Sequence, residues 1–483
     1  MSSKQRVARN NPSPIVEEQS FMMSSSMLTA VDKVNESESA VKTAVTPMRW
    51  FVLFLFSCYV ILQYFSWNIF GPISSSVKKT FHWNNTDISM LANWDTILFV
   101  IFSMQMYWLV QRNGLRITLL MSLSMMTIGA VFRCIPLKND WAKWILNTGQ
   151  IFNGLGGMLA QAAAPFLSST WFPAKQRTTA TAIASLSCPL GIAISHLIGP
   201  AFVPDLIIKN ESNPFDEQNT ASRLIMRTRI EYLMYLEFAL SALLLFASIF
   251  CFRNKPPYPP SNSASFEKIK FKIGLVRLIK IKDFWLIMAV ASSVTGVYSG
   301  WGAMLAVNLR GNGLDISQKE CGLVGFITTM SSVFGGIMVG KLADRFNCRL
   351  KLIIVVLYSI ASTTFLWITL ICEKIAPFSR ASVYISCIIG GFCINGSIPL
   401  LFELVVELTY PVPETVSIAF ISVVNNLFAF IFLLILGIPN IGVSWMNWCL
   451  FAICIMSLGM LFFVSENYKR MKIDEKNQEI FEK

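Results

Sequence analysis

The chain has 483 residues, of which 54% are hydrophobic and only 14% are charged. A soluble domain has little room for so many apolar residues, whereas a membrane protein places them against lipid. The formal net charge of +12 is spread over short loops, which argues against nucleic-acid binding and agrees with the positive-inside rule. With two histidines and no Cys-x-x-Cys spacing, the sequence predicts neither a metal site nor a cofactor.

The first 48 residues are polar and rich in serine, which predicts a disordered N-terminus. About twelve apolar stretches follow, each close to the roughly 20 residues that a helix needs to cross a bilayer. They lie near residues 49–73, 88–111, 115–135, 141–170, 177–203, 231–252, 284–309, 318–341, 350–372, 380–409, 415–438 and 444–464. The sequence therefore predicts an all-α membrane protein with a charged tail at 465–483.

The charges of the loops predict the orientation in the membrane. Arg112 and Arg116 follow the second stretch, and a long basic linker at 253–283 follows the sixth. Lysine and arginine gather on the cytosolic side, so we expect this linker and both termini to be cytosolic. Two glycosylation sequons, at Asn84 and Asn210, fall in loops on the opposite side, as a glycan acceptor requires.

The linker divides the chain into two halves of six predicted helices, 49–252 and 284–464. A weak repeat relates them, because the basic loop at Arg112 returns 233 residues later at Arg345. Two six-helix halves with parallel repeats are typical of a major facilitator type transporter, whose binding site lies between the halves near the midplane. The sequence therefore predicts that fold, with alternating access of the site to the two sides.

A glycine-rich loop of the second half carries a recognisable signature. The string Gly336-x3-Gly340-Lys341-Leu342-Ala343-Asp344-Arg345-x3-Arg349 resembles the cytosolic loop motif of the major facilitator superfamily. Its glycines allow helices to approach closely, and its charges can pair with carboxylates or helix ends. The residues predicted to act in structural gating are Gly340, Asp344, Arg345, Arg349, Arg112, Arg116 and Glu407.

Further strings narrow the resemblance. These strings are Trp67-Asn68-x2-Gly71-Pro72, Asn113–Thr118, Ala164–Phe172, Arg177–Ala184 and Phe402–Glu414. They are similar to solute carrier family 49, the family of the feline leukaemia virus subgroup C receptor-related proteins. The resemblance implies a proton-coupled transporter of the lysosomal membrane that exports pyridoxine, with the plasma membrane as the alternative location. Other members of the family that the sequence resembles carry choline or ethanolamine, or were proposed to carry haem.

Polar and aromatic side chains recur on the first and seventh predicted helices. Trp67 and Asn68 fall in the first, and the 233-residue offset pairs Asn68 with Trp301 in the seventh. An amide beside an indole suits a flat polar ring or a small cation, although such stripes also serve plain helix packing. The candidate substrate-binding residues are Gln63, Tyr64, Trp67, Asn68, Gln161, Tyr298, Trp301 and Asn425.

Titratable residues inside the predicted helices are candidates for proton coupling. Glu403 and Glu407 lie four residues apart at the end of an apolar run, where an ionised carboxylate is costly unless it is paired or functional. Glu403 is the first candidate, and a permanent ion pair is its alternative; Glu407 lies nearer the cytosol and suits a structural role. Asp95 and His196 are further candidates, with snorkelling and packing as the respective alternatives.

Taken together, these features predict a secondary transporter and not an enzyme, because neither a phosphate-binding loop nor a nucleophile–base pair stands out. We expect proton-coupled export of pyridoxine from lysosome to cytosol by a monomer in the lipid bilayer. The expected partners are a small-molecule substrate and protons, without nucleic acid. The alternatives are a choline/ethanolamine- or haem-type exporter, and a non-transporting receptor or sensor on the same fold.

Overall fold

The computed structural model describes residues 46–137, 139–206, 217–256, 276–345, 350–409, 412, 414–438 and 441–464. Within these residues the chain is helical and contains no strand. The helices are α1 (Met48–Asn68), α2 (Ser74–Phe81), α3 (Asn85–Arg133), α4 (Asn139–Ala162), α5 (Ala164–Trp171), α6 (Ala174–Phe202), α7 (Glu217–Cys251), α8 (Lys282–Ala303), α9 (Leu305–Gly311), α10 (Gln318–Arg345), α11 (Leu350–Cys372), α12 (Arg380–Thr409), α13 (Glu414–Ile435) and α14 (Trp445–Phe463).

Eleven stretches of the described helices are long and apolar enough to cross a membrane. They match every predicted span except the fourth, which corresponds to α4 and α5. The 24 residues of α4 suffice in length, but its buried face carries Gln150 and Asn153, which lowers its hydropathy. Because these amides point into the protein and away from lipid, a polar helix is tolerated here. The prediction of an all-α membrane protein is confirmed.

The second and third spans are two helical segments of α3, which are separated by a kink at Gly114. This residue has φ 80° and ψ 172°, a conformation that glycine adopts without strain. A side chain there would also overlap Asn254, which follows α7. The Asn254 side chain accepts a hydrogen bond from the Arg116 backbone (3.2 Å), and the Arg116 guanidinium donates to Ile249 O near the end of α7 (2.9 Å). The loop between the two spans is therefore attached to the last helix of its own half.

Three features differ from the expected boundaries. The short amphipathic helix α2 lies where a loop was expected, α7 begins at Glu217 and not near residue 231, and the fourth predicted span is divided between α4 and α5. Helix α2 and the beginning of α7 have polar sequences, and they were missed because the helices were predicted from the length of apolar stretches. In the third, Pro165 occupies the first turn of α5, where its missing N–H is tolerated.

The two halves meet mainly where α6 packs on α10 and α3 packs on α13. Among the described residues, close backbone contacts between the halves occur at one end of the bundle, which we name the closed end. There, a Cβ on Gly71 would overlap Ala303 O, and a Cβ on Gly322 would overlap His196 O. Near the other end of α10, a Cβ on Gly340 would meet nothing within 4 Å. The described residues therefore place the halves in contact at the closed end, whereas the surface of α10 at Gly340 is open.

Parts of the predicted organisation lie outside the described residues. These are the predicted N-terminal segment up to residue 45, the centre of the linker at 257–275 and the tail from 465. The boundaries of the two halves, and the cytosolic location of the termini, remain predictions.

Candidate functional site

A cavity of about 540 Å³ lies between the two halves. Helices α1 and α6 of the first half form one wall, and α8, α10, α12 and α13 of the second half form the other. The cavity extends along α10 to Gly336 and along α12 to Phe402. None of its described lining residues is Asp, Glu, Lys or Arg. It is a neutral chamber of the size that small-molecule sites have.

On the first-half wall, an indole and an amide come from the end of α1. The Trp67 ring N–H donates to Ala92 O (3.0 Å), which fixes the indole against α3. Asn68 Nδ2 donates to Ser195 Oγ on α6 (2.9 Å), while Asn68 Oδ1 has no hydrogen-bond partner. Because the amide oxygen is buried and unpaired at the cavity, it is available to accept a hydrogen bond from a ligand.

The second-half wall carries a stack of aromatic rings from α8. Tyr298 and Trp301 stack with centroids 6.0 Å apart, and Phe365 contacts Trp301 edge-on at 5.5 Å. Deeper along α8, Thr295 Oγ1 donates to Asn425 Oδ1 of α13 (2.6 Å). Trp67, Asn68, Tyr298, Trp301 and Asn425 all line the cavity. The structure thus brings the repeat-related Asn68 and Trp301 to one chamber from opposite halves.

A polar network behind Trp301 was not predicted. The Trp301 ring N–H donates to Asn447 Oδ1 of α14 (2.8 Å). Asn308 Nδ2 donates to the same oxygen (2.7 Å), and Asn447 Nδ2 donates back to Asn308 Oδ1 (3.1 Å). The sequence signal was an asparagine inside an apolar run, which gives no indication of its partner. The network holds one edge of the aromatic wall in place.

The other predicted substrate-binding residues lie elsewhere. Gln63 is buried inside the first half, where its Nε2 donates to Asn153 O (3.0 Å). Tyr64 is half-buried beside Trp67, with centroids 6.1 Å apart. The Gln161 side chain lies outside the described part of the structure. Their role in substrate binding stays a prediction.

The three candidates for proton coupling, and Glu407 with its predicted structural role, have different surroundings. His196 lines the cavity, is 4% exposed, and its Nδ1 has no hydrogen-bond partner. Asp95 lies beside Gln63 in the first half, away from the cavity. Glu403 is exposed although its neighbour Phe402 lines the cavity, and Glu407 is fully buried. Of these side chains, only the imidazole faces the chamber.

Comparison with known proteins identifies the family. Residues 56–433 match the Major Facilitator Superfamily. The solute carrier family 49 member 4 homologs of Xenopus tropicalis and Xenopus laevis are each 35% identical to the chain, over 88% of its length and 93% of theirs. The chain belongs to solute carrier family 49 of the major facilitator superfamily. A more distant relative is the choline/ethanolamine transporter FLVCR1 of Mus musculus, which is 25% identical over 82% of this chain and 70% of its own.

Solved structures share the fold of this solute carrier. A bacterial homolog of the human lysosomal transporter Spinster, in an inward-facing and unoccupied conformation, aligns with a TM-score of 0.66 and 13% identity over 88% of this chain and 99% of its own. The transporter FucP, in the outward conformation, aligns with a TM-score of 0.59 and 14% identity over 87% of this chain and 100% of its own. The predicted major facilitator fold is confirmed.

In this major facilitator protein, a charge cluster ties the halves together at the closed end. Asp205, just after α6, accepts hydrogen bonds from Lys79 of its own half (2.7 Å) and from Arg310 of the other half (2.6 Å). Nearby, Gln318 of α10 accepts from the Ser76 backbone (3.2 Å). Burial by itself would raise the pKa of Asp205, but Lys79 and Arg310 outweigh burial and hold this pKa below its usual range.

The predicted gating residues are only partly described. Arg112 is exposed, with its guanidinium 5.1 Å from the centroid of the Trp108 ring, and Arg116 binds the end of α7 as described above. Asp344 and Arg345 belong to α10, but their side chains lie outside the described part, as does Arg349. Their gating role stays a prediction.

Of the two predicted glycosylation sites, the structure describes one. Asn84 caps α3, because its side chain accepts from the Asp87 backbone (3.0 Å) while Asp87 Oδ2 accepts from the Asn84 backbone (3.0 Å). This reciprocal pair is a capping box, and it engages the Asn84 oxygen. Asn210 lies outside the described residues.

Proposed function

We propose that the protein is a proton-coupled transporter that exports pyridoxine, or a closely similar flat and polar ring, from lysosome to cytosol. The observation that carries the proposal is the neutral cavity between the halves, with aromatic rings on both walls and unpaired polar atoms between them. Contact of the halves at one end, together with the extension of the cavity along α10 and α12 to Gly336 and Phe402, suits one state of an alternating-access cycle.

The chemistry of pyridoxine matches this chamber. Its aromatic ring can stack between Trp67 and the Tyr298–Trp301 pair, and its hydroxyl groups can bind amides such as Asn68 and Asn425. A neutral solute needs no charged partner, and none of the described lining residues carries a fixed charge. Burial of a polar solute is favourable only if its hydrogen bonds are replaced, which the amides provide.

The second candidate substrate is choline or ethanolamine, favoured by the aromatic walls themselves. A cation binds over the faces of tryptophan and tyrosine, and choline/ethanolamine transporters are among the relatives. A protonated His196 in the same chamber would repel such a cation. Competition therefore distinguishes the candidates: excess choline should not reduce pyridoxine uptake if the first proposal is right.

We assign the proton to His196 in preference to Glu403. The imidazole is buried at the contact of α6 with α10, where its ring would be overlapped by a Cβ on Gly325. Among the described residues no salt bridge includes His196. Helices α6 and α10 belong to opposite halves and must separate when the closed end opens. A change of charge at this contact would therefore bias the two states.

The test is pyridoxine uptake by cells that carry the protein at the plasma membrane, at acidic and at neutral external pH. We expect saturable uptake that is faster at acidic pH in the wild type and loses its pH dependence in His196→Gln. His82→Gln is the matched control, because His82 is the other histidine and is exposed. Retained acid stimulation in His196→Gln, with its loss in Glu403→Gln or Asp95→Asn, would refute the assignment to His196.

Two further measurements bear on the alternatives. Saturable flux in liposomes containing only the purified protein would exclude a non-transporting receptor. If protein shown to reach the cell surface gave no pyridoxine flux at either pH value, the assignment of pyridoxine as the substrate would be refuted. The proposed location is tested by imaging the endogenously tagged protein together with a lysosomal marker. Labelling confined to the plasma membrane would contradict it.

A further inference from the structure

The core of the first half contains a polar cluster that lies apart from the cavity. It consists of Asp95 on α3, Gln63 on α1 and Asn153 on α4, and none of these residues lines the chamber. Gln63 connects the other two, since its Nε2 donates to Asn153 O (3.0 Å) and its amide also contacts the Asp95 carboxylate. The proposed transport mechanism does not account for this cluster.

Two glycines of α4 make room for it. A Cβ on Gly157 would lie within 3.0 Å of both Gln63 Nε2 and Asp95 Oδ1, and a Cβ on Gly154 would lie 3.1 Å from the Asp95 Cα. Asn153 is one helical turn before Gly157 and therefore presents its side chain on the same side of α4. The carboxylate, the two amides and the bare helix surface thus enclose one small region.

Several polar atoms in this region lack partners. The Asn153 side chain is 1% exposed, and both its Oδ1 and its Nδ2 are without a hydrogen bond. Gln63 is 2% exposed, and its Oε1 is likewise unpaired. Most buried polar atoms in native proteins have a partner. Two unpaired amide oxygens, in the same region of the half as the Asp95 carboxylate, are suited to a positively charged ligand.

The charge balance supports the same conclusion. The salt bridges of the described residues involve other groups, and no lysine or arginine pairs with Asp95. The buried arginine of the same half, Arg133, is already neutralised by Glu237 at 2.8 Å. An ionised carboxylate at this depth needs a counter-charge.

We propose that Asp95, Gln63 and Asn153 bind a monovalent alkali cation, Na⁺. Carboxylate and amide oxygens are hard ligands that suit such an ion. A single carboxylate balances one positive charge, whereas divalent cations are usually held by more than one acidic group or by many more oxygens. Water molecules can complete the coordination and satisfy Asn153 Nδ2. Since Gln63 is one turn before Trp67 on α1, the ion would also brace the helix that carries the cavity indole.

The test measures thermal unfolding of the purified full-length protein in detergent without substrate. NaCl, KCl and N-methylglucamine chloride are compared at equal ionic strength. We expect the unfolding temperature to rise with Na⁺ concentration and to saturate, since a ligand that binds only the folded state stabilises it. Gln63→Met should raise the half-saturating Na⁺ concentration by roughly tenfold, the equivalent of one lost ligand interaction.

Asp95→Asn should abolish the Na⁺-specific shift. Asp87→Asn is the matched control, because it makes the same change on the same helix, at a residue paired instead with Lys143 at the exposed end (2.6 Å). Equal shifts in all three salts, or a Na⁺ shift that survives in Asp95→Asn, would overturn the proposal. Stabilisation by acid with no Na⁺ effect would also overturn it, since a proton would then be the occupant. The wild-type comparison decides the matter even if the variants fold poorly, and it requires no knowledge of the transported solute.

Discussion

The ion pair between Asp205 and Arg310 contributes to the free energy that keeps the closed end shut. Among the described residues it is the salt bridge that joins the two halves there, at 2.6 Å, and its partners are 15% and 28% exposed. A fully exposed pair contributes little, and a hydrogen bond to a charged group contributes more when it is screened from water. For this intermediate case we take about 1 to 1.5 kcal/mol, which corresponds to roughly a five- to tenfold change in the ratio of the two states.

The perturbation is Arg310→Met, which removes the charge and keeps much of the side-chain volume. Lys79→Met is the control, because Lys79 binds the same carboxylate at 2.7 Å from within the same half. We expect Arg310→Met to increase the population open at this end by roughly five- to tenfold, and Lys79→Met to change it far less. Spin labels at the exposed positions His82 and Lys319, one on each half, would report the distance across the closed end.

The same contact has a defined pH dependence. Because the pKa of Asp205 is held below its usual range, the contact is fully present above that range and is lost only as pH falls through the lowered value. An acidic compartment such as a lysosome should therefore leave it intact. Equal opening in both variants, or opening of the wild type as pH falls from neutral to mildly acidic, would refute this reasoning.

Three more outcomes follow from buried and capping contacts. Glu237→Gln leaves Arg133 charged at 1% exposure, so we expect a loss of about 3 to 5 kcal/mol in unfolding free energy, which an apolar replacement of both residues should largely restore. Gly71→Val places a side chain against Ala303 O, so surface-expressed protein should lose uptake because the closed end cannot form. Asn84→Asp retains the α3 cap and removes one of the two predicted glycan acceptors, so the unfolding temperature should stay constant while glycosidase treatment changes electrophoretic mobility less than in the wild type.

Helix boundaries could be predicted where an apolar stretch of suitable length is flanked by charged residues or proline. The bounds of α11 and α12 coincide with the predicted spans, because each is predominantly apolar and flanked by charges or proline. Helix α2 was missed since its sequence SSSVKKTF is short and polar, and its helical state depends on packing between other helices. Local pattern alone carries no signal for such a tertiary effect.

The site was predictable only as far as the internal repeat reaches. The 233-residue offset correctly brought Asn68 and Trp301 to the same chamber, since related halves place equivalent positions symmetrically about the cavity. The offset says nothing of contacts within one half. The grouping of Gln63 with Asn153 depends on how α1 and α4 are rotated against each other, which a single sequence does not specify.

The segment 301–310 connects the chamber to the closed end. Trp301 lines the cavity, Ala303 ends α8 at the close backbone contact with the first half, Asn308 shares the amide network behind the indole, and Arg310 binds Asp205. A break between α8 and α9 at residue 304 separates the first two from the others. A solute that moves the indole therefore acts on the same short segment that holds the halves together. Because a ligand shifts a conformational equilibrium only through differential contacts with the two states, this segment is where binding in the chamber can favour or oppose opening of the closed end.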